Sequence, residues 1–109
     1  MSGYRGQERR KSPRAHRPLP VRVQGVDRSG QAFEADTLAE NVSTGGFYLL
    51  LPQNVEEGAK LLTALRFAKA GSRQGPGLGV MACGIVVRVD YQHDGQYGLA
   101  VAIKHHRFL

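Results

Sequence analysis

Apolar and polar residues alternate along several short runs of this chain, and no other feature of the sequence constrains the fold as strongly. Successive side chains of a β-strand point to opposite faces, so alternation with one apolar parity predicts strands that bury one face. We therefore predict half-buried antiparallel strands, with Arg88 and Asp90 facing away from the core. The apolar members of the six runs are Val21/Val23; Phe33/Ala35; Phe47/Leu49/Leu51; Leu61/Thr63/Leu65/Phe67; Ile85/Val87/Val89/Tyr91; and Tyr97/Leu99/Val101/Ile103.

Turn-forming residues separate these runs, and no segment shows a convincing helical period. Residues 27–30 and 93–96 have the composition of hairpin turns, and Asp94-Gly95 favours a type I′ turn in the second. A chain of 109 residues makes a single domain. Because no helix is predicted that could cover a sheet, and because closure removes exposed strand edges, we predict an all-β fold: a small six-stranded antiparallel barrel with a flexible basic N-terminal arm.

The net charge of +6 at pH 7 is concentrated near the N-terminus. Residues 1–22 contain seven arginine or lysine residues against Glu8, whereas the remaining residues balance. Residues 1–18 also contain glycine and proline without an apolar period, so we predict a flexible arm there and the barrel in residues 19–109. A concentrated cationic arm indicates an anionic partner, although a solubilising tail or a nonspecific nucleic-acid arm would have the same composition.

Several classes of function find no support in the sequence. No apolar run is long enough to span a membrane, and the N-terminus lacks the apolar stretch of a signal peptide, so we expect a cytoplasmic protein. Cys83 is the only cysteine, and the four histidines lack ligand spacing, so we expect no metal site. No serine or cysteine has an evident base partner, so we expect no catalytic residue and no enzyme activity.

The arm contains the first of two polar motifs that point to ligand binding. Arg10 and Arg14 form an R-x-x-x-R pattern, and Arg9 stands directly before it. Arg5 and Arg9 have the same spacing and compete for the same role, but Arg14 lies nearer to the first predicted strand. The planar guanidinium fork suits phosphate and the guanine edge better than the point charge of lysine.

The second motif, residues 41–46, reads [D/N]-x-S-x-x-G, a combination that composition alone rarely produces. Asn41 and Ser43 are two residues apart, so they project to the same side of an extended backbone. The amide oxygen can accept an N–H of a base such as guanine, and the serine offers a hydroxyl. Gly45 and Gly46 allow positive φ and the close approach of a flat ring. A plain turn, in which Asn41 and Ser43 cap their own backbone, is the alternative.

In this order and context the two motifs resemble the PilZ domain family, and the resemblance extends over residues 46–52, 84–89 and 97–103. It implies a six-stranded barrel that binds the bacterial second messenger cyclic di-GMP, with no other cofactor. The arginine pair Arg10 and Arg14 would grip phosphate and the O6/N7 edge of guanine. The residues that would meet a guanine on the barrel surface are Asn41, Ser43 and Gly46, with Gly45 beside them. An arginine at the position of Arg9 implies a stacked pair of ligand molecules, so we expect two per chain.

The function implied by the resemblance is that of a receptor or effector. Cyclic di-GMP would order the arm over the barrel, and the new surface would signal to a partner protein that the sequence does not identify. One rival is a ligand-independent PilZ-like adaptor. The other is a small nucleic-acid-binding barrel, but no exposed aromatic platforms are evident on the strands, so we expect no nucleic-acid partner.

Overall fold

The computed structural model describes residues 18–67 and 78–108, which form six antiparallel strands. The strands close into a barrel in the order β1-β2-β3-β6-β5-β4, as the sequence pattern predicts. None of the described residues forms a helix, and so none of them offers a helix that could cross a membrane. The strands are β1 (Leu19–Val26), β2 (Ala32–Glu40), β3 (Gly46–Leu51), β4 (Lys60–Phe67), β5 (Leu78–Tyr91) and β6 (Tyr97–Phe108).

The barrel interior is filled by one parity of each strand. Leu49, Leu51 and Leu99 are fully buried, whereas Leu50, between two of them, is 36% exposed. The buried hydroxyl of Thr63 donates to the Ala82 carbonyl oxygen at 2.9 Å, so this polar group has a partner inside the core. The alternation in the sequence therefore determines which side chains fill the closed core.

The predicted parity is wrong in the middle of β5. Val86 is buried, whereas Val87 is 54% exposed. Val86 pairs with Val101 and Arg88 with the adjacent Ala100, so Val87 is the extra residue of a β-bulge. Beyond the bulge the parity changes, and Val89 packs against the core while Arg88 remains exposed.

Both predicted hairpin turns are present, but the second is not of type I′. Gln92 donates its N–H to the Gln96 carbonyl oxygen at 2.9 Å, and Gly95 has φ 87°. A type I′ turn needs positive φ at both central residues, and Asp94 does not have it. The loop is therefore a type I turn followed by a left-handed glycine, and residues 27–31 close the same way around Gly30, which has φ 91°.

The topology brings the start of β1 to the same end of the barrel as residues 41–46. Leu19 pairs with Ala39, near the end of β2, and Ala39 pairs with Leu49 on its other side. Residues 41–46 follow β2 directly and lead into β3. The N-terminal segment therefore enters the barrel one strand away from this turn, while both hairpins lie at the opposite end.

Candidate functional site

Residues 41–46, here called the β2–β3 turn, are held by backbone and side-chain hydrogen bonds. The Ser43 N–H donates to the Gly46 carbonyl oxygen at 2.9 Å, and the Gly45 N–H donates to Ser43 Oγ at 3.1 Å. The Ile103 N–H donates to the Gly45 carbonyl oxygen at 2.9 Å, which ties the turn to β6. Val42 packs against the core, while Asn41 and Ser43 are exposed. The turn thus presents an amide and a hydroxyl on a fixed backbone.

Backbone conformation assigns the glycines a different role from the predicted one. The residue with positive φ is Asn41, at 53°, and neither Gly45 nor Gly46 has it. Asparagine tolerates the left-handed region better than most side chains, which explains its place at the first position. Gly46 is required by proximity instead, because a Cβ there would collide with the Val101 carbonyl oxygen of β6. A Cβ on Gly45 would meet Ser43 Oγ at an ordinary 3.8 Å.

A second polar cluster lies on the outer surface, along β3 from the turn. The Tyr48 hydroxyl donates to Asp90 Oδ2 at 3.0 Å, and Arg88 Nε donates to Asp90 Oδ1 at 3.2 Å. The Arg88 guanidinium carbon lies 6.0 Å from the centroid of the Tyr48 ring, within reach of a cation–π contact. Tyr48 crosses β6 at Gly98, where any Cβ would overlap the ring and its hydroxyl. A glycine on β6 therefore lets a β3 tyrosine reach a β5 carboxylate.

Each member of this cluster alters the ionisation of its neighbours. Hydrogen bonds from Arg88 first and Tyr48 second hold the pKa of Asp90 below its usual range, so the carboxylate is lost only at a pH below that range. Burial, and then the hydrogen bond to Asp90, raises the pKa of Tyr48 above 10. The hydrogen bond and charge of Asp90 raise the pKa of Arg88. At neutral pH the cluster therefore contains a cation, an anion and a neutral phenol.

The structure brings together four of the seven predicted site residues. Asn41, Ser43, Gly45 and Gly46 form the β2–β3 turn. The other three, Arg9, Arg10 and Arg14, lie outside the described residues. The sequence predicts outward parity for Tyr48, Arg88 and Asp90, but no spacing connects them, because they lie on different strands and meet only across β6.

Metal chemistry has little basis in the described part of the chain. Within residues 18–67 and 78–108, no group of three histidine, cysteine or acidic side chains comes together in a way that would hold an ion. The chemistry that the turn and the cluster can supply is hydrogen bonding, charge and an aromatic surface.

Comparison with known proteins places this geometry in a family. No curated protein sequence matches the chain. The solved structure of the inhibitor of motility MotI/DgrA from Bacillus subtilis is similar in fold, with a TM-score of 0.63 and 18% sequence identity over 84% of this chain. That match covers 41% of the Bacillus protein, so the chain spans about two fifths of its length. The family model for the PilZ domain matches residues 8–107, which include both polar motifs, and the chain belongs to the PilZ domain family.

Proposed function

We propose that this chain is a receptor domain for cyclic di-GMP, in which the N-terminal arginines and the β2–β3 turn grip the ligand together. PilZ domains are binding domains, and the match to the family begins before the arginine motif. The observation that carries the proposal is the position of the turn beside the start of β1, where the arginine-bearing segment enters the barrel. Arg14 is five residues from Leu19, a distance of about 17 Å at full extension, so covalent geometry permits the closure.

The described residues support distinct roles around a guanine base. The Asn41 amide oxygen accepts a base N–H, and the Ser43 hydroxyl, whose only described acceptor is the Gly46 carbonyl oxygen at a long 3.4 Å, is available to a ligand. Gly46 lets the base approach the backbone where no side chain fits. Tyr48, two residues along the same outer face of β3, extends the surface with part of an aromatic ring.

The arginines complete the site with charge. Arg10 and Arg14 bind phosphate oxygens and the O6/N7 edge of guanine, the arrangement of two acceptors that fits a guanidinium fork. Each charge-assisted hydrogen bond contributes about 1.5–3 kcal/mol, which offsets the entropy lost when the arm becomes ordered. Arg9 adds a contact to a second, stacked ligand molecule. The ordered arm and the barrel then form one surface, which a partner protein recognises.

Isothermal titration of the full chain with cyclic di-GMP tests the proposal and gives the stoichiometry. We expect Ser43→Ala to weaken binding about tenfold and Arg14→Ala about tenfold to hundredfold, from the loss of one or more hydrogen bonds. Ser29→Ala is the matched control, since Ser29 is an exposed turn serine at the other end of the barrel. Arg5→Ala distinguishes the two arginine registers and should leave affinity unchanged if Arg10 and Arg14 are the pair.

Proteolysis tests whether the arm becomes ordered. Ligand at a concentration that saturates the wild type but not Ser43→Ala should slow tryptic cleavage after the arginines of residues 1–18 in the wild type and much less in the variant. A calorimetric titration that shows neither a heat of binding nor saturation would favour the ligand-independent adaptor. Binding to polynucleotide with a steep salt dependence and no preference for the cyclic dinucleotide would favour the nucleic-acid barrel.

A further inference from the structure

Charge is distributed unevenly around the barrel, although its overall balance is close to neutral. On β1 and β2, Arg22 faces the carboxylates of Asp36, at 3.0 Å, and Glu34, at 3.4 Å, and Glu40 adds a third acidic residue. Strands β4, β5 and β6 contain one acidic residue, Asp90, which is already paired with Arg88. Against it these three strands contain five basic residues, which are Lys60, Arg66, Arg88, Lys104 and Arg107.

The middle of the outer surface of β4 and β5 is apolar. Leu62 is 37% exposed, Val87 is 54% exposed, and the Cys83 thiol is also exposed. Leu62 pairs with Cys83 across the two strands, and Ile85 follows on the same parity. The span from Cys83 to Val87 is about 13 Å along the strand, from the rise of an extended chain. The bulge at Val87 matters here, because it turns this valine outward instead of into the core.

Basic side chains on β4 and β6 lie beside this apolar centre. Lys60 pairs with Ile85, His105 pairs with Cys83, and Arg107 pairs with Met81, while Arg66 has the same outward parity on β4. All four are exposed. We call this surface the basic face and define it by Leu62, Cys83, Ile85 and Val87 with Lys60, Arg66, His105 and Arg107.

We propose that the basic face is the docking surface for a partner protein, and that it binds a segment in which acidic residues flank apolar ones. Its rim attracts carboxylates, and its aliphatic centre gains free energy only from a partner that covers it with apolar side chains. A nucleic acid would leave that centre uncompensated, since its exposed members Leu62, Cys83 and Val87 offer no ring on which a base could stack. Short Val and Cys side chains on a strand surface also do not reach the depth at which interfacial segments insert into lipid.

The basic face adjoins the β2–β3 turn without overlapping it. Ala102 of β6 pairs with Gly46 on one side and with Ile85 on the other, so the two surfaces are two strand spacings, or about 10 Å, apart. A ligand held over Gly46 would lie along the edge of the face. The docking surface itself needs no ligand; only its regulation by cyclic di-GMP rests on the proposed function.

A display library of random peptides, each long enough for about four helical turns, probes this surface without a known partner. The library is selected against the immobilised full chain, with and without cyclic di-GMP. We expect the enriched peptides to combine acidic with aliphatic residues and to change the emission of a bimane dye on Cys83, the only cysteine in the chain. Val87→Glu should weaken the binding of these peptides about tenfold or more, because it buries a carboxylate among apolar groups and next to the acidic residues of the peptide. Arg107→Glu should weaken peptide binding through the change of charge alone.

Leu38→Glu is the matched control, because Leu38 is also an aliphatic strand residue, 50% exposed, and lies on β2, which β1 separates from the face. It should bind the peptides as the wild type does, and thermal melting verifies that all variants are folded. Selection that enriches no peptide, enriches cationic ones, or enriches peptides that bind Val87→Glu equally well would overturn the proposal. So would saturable binding of anionic phosphatidylglycerol vesicles or a short DNA duplex that Val87→Glu abolishes. Peptide binding that is intact but indifferent to cyclic di-GMP would leave the docking face standing and contradict only its regulation by the ligand, whereas calorimetry alone decides the receptor function.

Discussion

The β2–β3 turn and the β5–β6 hairpin both reverse the chain, but they differ in which residue takes the left-handed conformation and in why glycine is needed. In the hairpin, Gly95 takes the left-handed conformation at φ 87°, and the Asp94 carboxylate accepts the Gln96 N–H at 3.1 Å. In the β2–β3 turn, Asn41 takes that conformation, and Gly46 is needed only because β6 lies so close. The hairpin thus has a glycine at the position that needs positive φ, where its backbone is not strained. The β2–β3 turn accepts backbone strain at an exposed amide, as sites that present a side chain often do.

The strongest test of this difference concerns the two adjacent glycines of the β2–β3 turn. Gly46→Ala should destabilise the fold by about 3 kcal/mol, because the new methyl group collides with the backbone of β6 rather than with a flexible side chain. Gly45→Ala should change stability by no more than about 0.5 kcal/mol, because its Cβ would make only an ordinary contact. Urea denaturation of the two variants measures both values. Equal effects at the two positions would show that β6 does not constrain the turn as described.

The alternation of apolar residues was sufficient to predict the six strands and the closed barrel. Burial of one parity determines which side chains enter the core, and this information is local to each strand. The middle of β5 escaped prediction because Ile85, Val86, Val87 and Val89 are all apolar and either parity fits them. The bulge there is settled by another segment: Val86 exchanges backbone hydrogen bonds with Gly58 and Ala59 of the loop between β3 and β4.

The residues of the candidate site likewise fall into two groups: those recognisable from the local sequence and those explained only by contacts with distant strands. Asn41 and Ser43 are recognisable from their spacing within one turn. The reason for Gly46 is a carbonyl oxygen on β6, more than fifty residues along the chain, and the contact of Tyr48 with Asp90 depends on Gly98 of a third strand. Residues that meet only after the barrel closes leave no spacing signal in the sequence. The roles of Arg9, Arg10 and Arg14 remain predictions, because they lie outside the described residues.

A second test separates folding from binding at the two left-handed residues. Gly95→Ala should destabilise the chain by about 1–2 kcal/mol, because alanine is strained at positive φ, and it should leave the affinity for cyclic di-GMP unchanged. Asn41→Gly should keep stability within about 1 kcal/mol, because glycine accepts the same φ. It should weaken ligand binding about tenfold through the lost amide. Denaturant titration and calorimetry on both variants supply the two readouts.

The opposite results would contradict the separate roles of the β5–β6 hairpin in folding and of the β2–β3 turn in binding. Loss of affinity in Gly95→Ala would mean that the hairpin takes part in binding. Unchanged affinity in Asn41→Gly would mean that Asn41 serves only its own backbone conformation, which is the plain-turn alternative for residues 41–46.

The smallest expected effect concerns the cluster that connects the two regions, since Tyr48 follows the β2–β3 turn and Asp90 precedes the β5–β6 hairpin. The pKa of Tyr48 is raised, so the stabilisation from its neutral hydroxyl is complete below the ordinary tyrosine range and is lost as pH rises through the raised value. Asp90→Asn removes a negative charge that opposes the phenolate and leaves the Arg88 cation beside it, so the Tyr48 pKa should fall. It should stay above the ordinary range, because burial is the larger cause.

Tyrosinate absorbance followed against pH measures this shift, and Tyr48→Phe identifies which part of the titration belongs to Tyr48. Asp94→Asn is the matched control: Asp94 lies four residues beyond Asp90, in the β5–β6 hairpin, and its carboxylate accepts the Gln96 N–H instead of a tyrosine hydroxyl. The Tyr48 component should move to lower pH in Asp90→Asn and stay in place in Asp94→Asn. If it stays in both, the Tyr48–Asp90 contact does not persist in solution, and β3 and β5 are joined there only through the backbone of β6.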